Sequence, residues 1–193
     1  MADRYGFRRC SPEEIEALRA KGSREIVRAL EIPTWKLPLI AGHMRRLSRE
    51  TAHGIALFPG IEDFLTGLHS RGVIIAVASS NGEDTIRRVL GPRIASMIAA
   101  FECGSSMFGK AARIRRILRR SGVPASEAML IGDETRDVEA ARKAGVASGA
   151  VTWGYAKPEA FEAIRPTAVF DSVAAMTDFF APTDRTGNAA ARG

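Results

Sequence analysis

The sequence is poor in cysteine and histidine and has no long apolar run. Its 193 residues include two cysteines and three histidines, too few and too scattered for a disulfide framework or a zinc site. The densest apolar stretch, GVIIAVASS at residues 72–80, is much shorter than the roughly 20 residues of a membrane-spanning helix. The N-terminal residues MADRYGFRRC lack the apolar core of a secretory signal. These absences favour a cytoplasmic protein with reduced thiols and no membrane partner.

The charge excess is concentrated in one segment. The net charge is +6, and KAARIRRILRRSG at residues 110–122 carries much of it. Ile114, Ile117 and Leu118 have helical spacing, which predicts a helix whose other face is solvated and bears arginines. A nucleic-acid-binding stripe is the alternative, but no aromatic residues for base stacking interleave with the arginines. The arginines predicted on the solvated face are Arg113, Arg115, Arg116, Arg119 and Arg120.

The sequence pattern changes near residue 58. Residues 1–57 show helical patterns only, beginning with SPEE at 11–14, which is typical of a capping box. From Phe58, amphipathic segments alternate with short apolar runs to about residue 180, which predicts a parallel sheet with helices on both faces. Residues 181–193 are small and polar and are predicted to be disordered. The predicted class is therefore α/β, with a helical N-terminal unit and no internal repeat.

Polar residues follow the predicted strands. Ser79, Ser80 and Asn81 end one strand before a helix, where hydroxyl and backbone N–H donors can cradle an anion. Asp133 ends a second strand, and Asp137 follows one helical turn later. Two close carboxylates repel each other unless a cation lies between them, and hard oxygen ligands favour Mg²⁺. Lys110 begins a helix and could offset the charge of a phosphoryl group.

Each feature also has an ordinary interpretation. Asp133 and Asp137 could simply charge the first turn of a helix. The Ser79–Asn81 stretch could be common turn chemistry, and Lys110 could be a surface lysine. Their occurrence together at predicted strand ends and helix starts favours the site over these alternatives.

Three of these motifs resemble the haloacid dehalogenase-like hydrolases. VIIAVASSN at 73–81, GK at 109–110 and IGDETRD at 131–137 are similar to that family's second, third and fourth motifs. FPGIEDFLTGLHSRG and GAVTWGYAKPEAF are most similar to the phosphoglycolate-phosphatase-like branch. The resemblance implies a Rossmann-like core at 58–180, a helical cap at 1–57, and a magnesium-dependent phosphatase of small phosphomonoesters such as 2-phosphoglycolate.

The resemblance also assigns roles to residues. Ser79, Ser80 and Asn81 would bind the phosphoryl group, and Lys110 would neutralise its charge, so that Ser79 and Lys110 count as catalytic. Asp133 and Asp137 would hold Mg²⁺. KGSRE at 21–25 is similar to the cap loop that touches substrate, and it makes three further residues candidates for substrate binding: Gly22, Ser23 and Arg24.

The family's first motif is missing from the sequence. That motif is D-x-D on the loop after the first strand, where the first aspartate attacks phosphorus to form an aspartyl-phosphate and the second acts as general acid and base. No two aspartates of the chain are separated by a single residue. VFDSV at 169–173 is the nearest mimic, and there Asp171 is predicted to cap the last helix.

The missing motif implies a missing strand. In the family the first strand is central, between the Ser79 strand and the Asp133 strand. We therefore expect a sheet without its central strand, an N-terminally incomplete chain and little or no activity. The alternative is a non-catalytic protein that binds phosphate or metal through the same residues, and a nucleic-acid binder ranks last. The sequence does not predict an oligomeric state.

Overall fold

The computed structural model describes residues 1–104 and 109–182. The predicted disordered tail lies outside the described residues from position 183 onward. In the part of the chain that is described, no helix is long and apolar enough to cross a membrane. Residues 1–57 contain helices and short 3₁₀ turns at 34–36 and 52–54. The α-helices of this segment are α1 (Ala2–Tyr5), α2 (Pro12–Leu18), α3 (Ser23–Ala29) and α4 (Leu37–Thr51).

Local capping chemistry explains where α2 begins. The Ser11 hydroxyl accepts the backbone N–H of Glu14, and the Glu14 carboxylate accepts the N–H of Ser11. The predicted capping box is thus confirmed, and Pro12 occupies the first helical turn, where its missing N–H has no cost.

Helices and strands alternate from residue 61 onward, as the pattern predicted. The α6 helix is interrupted at Gly91, whose φ of 70° is left-handed, and Pro92 follows it. This break explains why helical periodicity was visible only near 83–90. The elements are α5 (Ile61–Ser70), β1 (Ile75–Ser79), α6 (Glu83–Ser96), β2 (Ile98–Cys103), α7 (Lys110–Ser121), β3 (Met129–Gly132), α8 (Thr135–Ala144), β4 (Ala147–Val151), α9 (Glu159–Glu162), β5 (Ala168–Phe170) and α10 (Val173–Phe179).

The five strands form two separate parallel sheets. One sheet has the order β1–β2 and the other β3–β4–β5. Parallel pairing and alternating helices confirm the predicted α/β class. Among the described residues no strand pairs with the second edge of β1 or of β3.

Helices cover both faces of the strands and bridge the two sheets. On one face, α7 and α8 build an apolar cluster that includes Ala78 of β1 and Leu130 of β3. On the other face, α5 and α10 build a cluster that includes Ile75 of β1 and Ile131 of β3. Because both clusters join β1 to β3, we infer that the unpaired edges of these two strands face each other. We call the space between them the β1–β3 gap.

Exposure of the strands follows their pairing. Every residue of β1 and of β3 is half-buried, whereas four of the five residues of β4 are buried. The continuous apolar run 73–79 predicted a fully covered strand, but Val73 and Ile74 are exposed and precede β1. Within β1 itself, which has no strand on its second edge among the described residues, every side chain is half-buried.

The cap of the last helix differs from the prediction. The Ser172 hydroxyl, not the Asp171 carboxylate, accepts the backbone N–H of Ala175 at the start of α10. Asp171 instead accepts a hydrogen bond from the Ser172 hydroxyl over 3.0 Å. Asp171 therefore supports the capping side chain without reaching the helix itself.

Candidate active site

Lys110 and Asp137 form the centre of the candidate site. Lys110 is the first residue of α7, and its Nζ donates to Asp137 Oδ1 over 2.5 Å. The side chains are 21% and 6% exposed, respectively. Asp137 lies in the first turn of α8 and packs on Gly132, where an added Cβ would lie 2.1 Å from Asp137 Oδ2. Only glycine therefore fits at position 132, and the close approach fixes the buried carboxylate beside the end of β3.

Asp133 is held by a turn that follows β4. Its Oδ2 accepts the backbone N–H of Tyr155 over 2.9 Å, and its carbonyl accepts the N–H of Ala156 over 3.0 Å. A Cβ on Gly154 would lie 2.2 Å from the Cβ of Asp133. The turn therefore wraps tightly around the Asp133 side chain and limits its orientation.

Ser79 and Asn81 form a small turn at the end of β1. The Ser79 hydroxyl oxygen accepts the backbone N–H of Asn81 over 3.1 Å. The Asn81 carbonyl accepts the N–H of Gly104, just after β2. These hydrogen bonds leave the Ser79 hydroxyl proton able to donate to another acceptor. Ser80 is half-buried within the same turn.

Arg113 connects α7 to this turn, which corrects the prediction of a solvated arginine. It is 5% exposed, and its guanidinium donates to the carbonyls of Ser79 and Gly104 over 2.9 and 2.7 Å. Burial lowers the pKa of the Arg113 guanidinium. Arg113 lies three residues after Lys110, on the same side of the helix. One helix thus presents a lysine to Asp137 and holds the Ser79 turn.

The other four arginines of α7 are exposed, as predicted, and two of them pair with one buried glutamate. Arg116 and Arg120 both donate to the carboxylate of Glu102, over 2.8 Å each. Glu102 is a buried residue of β2. The side chains of Arg116 and Arg120 are 47% and 68% exposed, as predicted for the solvated face, and they also neutralise a strand carboxylate, which reduces the charge available for nucleic acid.

Glu134 and Arg136 form an ion pair in the turn between β3 and α8. Arg136 Nη2 donates to Glu134 Oε1 over 2.5 Å. Burial raises the pKa of the Glu134 carboxyl, and the positive charge of Arg136 opposes this increase. The neighbouring Thr135 is buried, so the whole turn between the two aspartates is closely packed.

The three candidate residues from 21–25 lie differently relative to this turn. Gly22 precedes α3, and a Cβ placed on it would lie 3.6 Å from Thr135 Oγ1. Gly22 therefore lies beside the turn that carries Asp133. Ser23 is half-buried, and Arg24 is exposed on the first turn of α3.

The site gathers several predicted residues and also residues that the sequence did not indicate. Lys110 and Asp137 are in contact. Asp133 directly follows Gly132, the last residue of β3, and Ser79 is joined to α7 through Arg113. The missed residues are Arg113, the turn 154–156 and Arg19, which contacts that turn. A partial signal existed, because GAVTWGYAKPEAF contains the turn and Arg113 repeats Lys110 at helical spacing.

The carboxylates of Asp133 and Asp137 could supply part of the coordination shell of Mg²⁺, but not all of it. The described residues contain no group of three or more His, Cys, Asp or Glu side chains placed to hold a metal. Mg²⁺ is commonly bound through one or two carboxylates together with waters and substrate phosphate oxygens. Asp133 and Asp137 supply two carboxylates held in close backbone cradles, and Lys110 now contacts one of them. Two carboxylates suit a cation whose remaining ligands are waters and phosphate oxygens of a substrate.

A family model that covers most of the chain shows which protein family it belongs to. The haloacid dehalogenase-like hydrolase model matches residues 1–151. The chain belongs to this family. It is 31% identical to a phosphoglycolate phosphatase of Synechococcus elongatus over 152 residues, which cover 78% of this chain and 72% of that one. It is 30% identical to a phosphoglycolate phosphatase of Rhodospirillum rubrum, covering 69% of this chain and 60% of the relative.

Solved structures share the fold. A Lactobacillus plantarum protein has a TM-score of 0.72 at 18% identity and covers 92% of this chain and 86% of its own. A haloacid dehalogenase-like family protein of Streptococcus pneumoniae has a TM-score of 0.58 at 23% identity, with coverages of 65% and 60%. The family model and the relatives named phosphoglycolate phosphatase confirm the predicted family and its phosphoglycolate-phosphatase-like branch. The chain spans 60% of the length of the Rhodospirillum rubrum relative and 44% of the length of a Pseudomonas fluorescens relative.

Proposed function

We propose that this chain provides the phosphate- and Mg²⁺-binding side of a phosphatase that acts on small phosphomonoesters such as 2-phosphoglycolate. The observation that carries the proposal is the Lys110–Asp137 contact. The α7 helix, which begins at Lys110, also holds the Ser79 carbonyl through Arg113, and Asp137 packs on Gly132, the residue before Asp133. Relatives named phosphoglycolate phosphatase support this substrate class.

The proposed roles follow from the donors and acceptors of each residue. The Ser79 hydroxyl and the Lys110 ammonium donate to phosphoryl oxygens, while the backbone of Ser80 and Asn81 closes the phosphate turn. Asp133 and Asp137 hold Mg²⁺, which when bound offsets the charge of the phosphoryl oxygens. Lys110 already contacts Asp137, so it neutralises part of the site's negative charge before substrate binds.

The attacking aspartate is not supplied by the described residues or by any D-x-D pair in the sequence. We propose that it belongs on a strand that fills the β1–β3 gap, where a parallel strand would pair with both free edges. Neighbouring parallel strands lie about 4.8 Å apart, so a strand that pairs with both edges requires β1 and β3 to be about twice that distance apart. Without this strand the 193-residue chain is expected to be inactive.

The same proposal divides the chain into two units. Residues 1–57 form the helical cap, which we call the cap segment, and residues 58–180 form the core. Gly22, Ser23 and Arg24 are the proposed substrate-contacting residues of the cap segment, with the exposed Arg24 available for a second anionic group of the substrate. The two cysteines are free thiols, as expected for the proposed cytoplasmic location.

The test compares two forms of the chain. The 193-residue chain and a version with a designed apolar strand ending in D-x-D-x-T, fused ahead of Met1, are incubated with an aryl phosphate and Mg²⁺. Only the fused chain should release inorganic phosphate, and chelation of Mg²⁺ should stop the release. A fused strand ending in N-x-N is the matched control. Comparable release by the 193-residue chain would contradict the missing-nucleophile account.

The second candidate is a non-catalytic protein that binds a phosphorylated ligand through the same residues. The absence of a D-x-D pair from the sequence favours it. Phosphate binding that persists with no release from the fused chain, when that chain is folded, would select this alternative.

A further inference from the structure

The turn after β4 contacts Asp133 with its N–H groups and the cap segment with its carbonyls. The N–H groups of Tyr155 and Ala156 donate to Asp133, as described above. The carbonyls of Gly154 and Tyr155 accept hydrogen bonds from Arg19 Nη2 and Nε over 3.0 and 2.7 Å. Arg19 follows α2, so a single turn of backbone lies between the cap segment and the proposed metal ligand.

Further contacts fix Arg19 against the same turn. The Arg19 carbonyl accepts the backbone N–H of Lys157 over 2.9 Å. Glu16 accepts from Arg19 Nη1 and pairs with Lys157 Nζ, over 3.0 Å in each case. Arg19 thus binds the turn through its side chain and its backbone, and the Glu16 carboxylate pairs with both Arg19 and Lys157. Charge-assisted hydrogen bonds of this forked kind are stronger and more directional than neutral ones.

The turn has little freedom to move on its Asp133 side. The Cα of Gly154 lies so close to the Asp133 side chain that no Cβ fits between them. A displacement of the Gly154 carbonyl is therefore transmitted to the Tyr155 N–H of the same planar peptide unit, which donates to the Asp133 carboxylate. A displacement of the Tyr155 carbonyl is transmitted in the same way to the Ala156 N–H, which donates to the Asp133 backbone carbonyl.

We propose that Arg19 is a positioning residue that couples docking of the cap segment to the Asp133 carboxylate. Arg19 holds the two carbonyls and so keeps the N–H groups of Tyr155 and Ala156 aimed at Asp133. The part of this inference that concerns Mg²⁺ rests on the proposed function. Coupling between two binding events is reciprocal, so bound Mg²⁺ should also stabilise the docked cap segment.

The first test needs no metal. Backbone amide exchange is measured by NMR for the 193-residue chain and for R19M, R19K and R28M, where Arg28 is an exposed arginine of α3. R19M should exchange roughly tenfold faster at Tyr155 and Ala156, because local opening there is no longer opposed. R19K keeps the charge but not the fork, so an intermediate effect is expected, and R28M should not differ. Unchanged exchange at Tyr155 and Ala156 in R19M and R19K would overturn the proposal.

The second test measures Mg²⁺ affinity by calorimetry for the same four proteins. Loss of a residue that orients a metal ligand typically weakens metal binding by about 10-fold or more, and R19M should show that loss with R28M unchanged. Mg²⁺ should also slow exchange of the Lys157 amide in the unsubstituted chain but not in R19M. Equal affinities would overturn the coupling. Absence of Mg²⁺ binding in the unsubstituted chain would contradict the proposed function, whereas the metal-free exchange pattern would still decide the role of Arg19.

Discussion

The two sheets of this protein have similar apolar strands but different burial. In the three-stranded sheet, β4 pairs on both edges and four of its five residues are buried. In the two-stranded sheet, β1 pairs on one edge and all its residues are half-buried. The strand sequences IAVAS and ASGAV are both small and apolar. Of these two strands, the one that pairs on both edges is the better covered, although their composition is similar.

The candidate site is divided in the same way. Asp133 and Asp137 adjoin the three-stranded sheet, where glycine cradles hold them. Ser79 belongs to the two-stranded sheet. The α7 helix joins the two halves, because its Lys110 contacts Asp137 and its Arg113 holds the Ser79 carbonyl. The two halves of the site are therefore connected by the α7 helix and not by pairing between β1 and β3.

The largest expected effect comes from removing this bridge at Lys110. Lys110→Met leaves the buried Asp137 carboxylate without its cation, and the expected loss is about 3 kcal/mol of the free energy of unfolding, measured by urea denaturation. Lys143→Met, at an exposed position of α8, is the control. Mg²⁺ should restore part of the loss by replacing the missing positive charge. A loss no greater than in the control would show that α7 does not bridge the halves through this pair.

A smaller effect compares the two sheets directly. Val151→Ala in β4 removes buried methyl groups from a side chain that is 9% exposed, with an expected loss of about 2 kcal/mol. Val77→Ala in the half-buried β1 should lose about 1 kcal/mol. Both are measured by chemical denaturation under the same conditions. Equal losses would mean that the unpaired edge does not reduce the burial of β1.

Acidification should weaken docking of the cap segment on the core. Hydrogen bonds from Lys157 and then Arg19 lower the pKa of the exposed Glu16 below its ordinary value of 4.5. A carboxyl with a lowered pKa in the folded state stabilises that state above its ordinary pKa and loses the contribution as pH falls through the lowered value. The NMR shifts of the Lys157 amide should therefore change below about pH 4.5, and Glu16→Gln should abolish that dependence. A persistent dependence in Glu16→Gln would assign it to another group.

Local chemistry was predictable from the sequence, whereas distant contacts were not. The capping box at Ser11 involves residues three apart, and it is confirmed. The helix start at Lys110 was predicted, but the burial of Arg113 was not, because it depends on carbonyls of other elements. Periodicity places a side chain on a helix face but does not show what packs against that face.

The same reasoning explains what was missed near Asp133. Arg19 and Tyr155 are 136 residues apart in sequence, and their contact uses a backbone carbonyl, which has no sequence signature. The family resemblance indicated both segments but not their contact. The start of α10 shows that local prediction also has a limit. Asp171 and Ser172 are adjacent and both are residue types that cap helices, so only the backbone geometry decides which of them is the cap.

The central claim is that this chain receives a phosphomonoester but lacks the group that attacks it. The most direct measurement is ³¹P NMR of a small phosphomonoester mixed with the 193-residue chain and Mg²⁺. The account predicts that the ester resonance shifts or broadens, that Lys110→Met reduces this change, and that no inorganic phosphate appears. Steady growth of the inorganic phosphate resonance, or an ester resonance that the protein leaves unchanged, would contradict it.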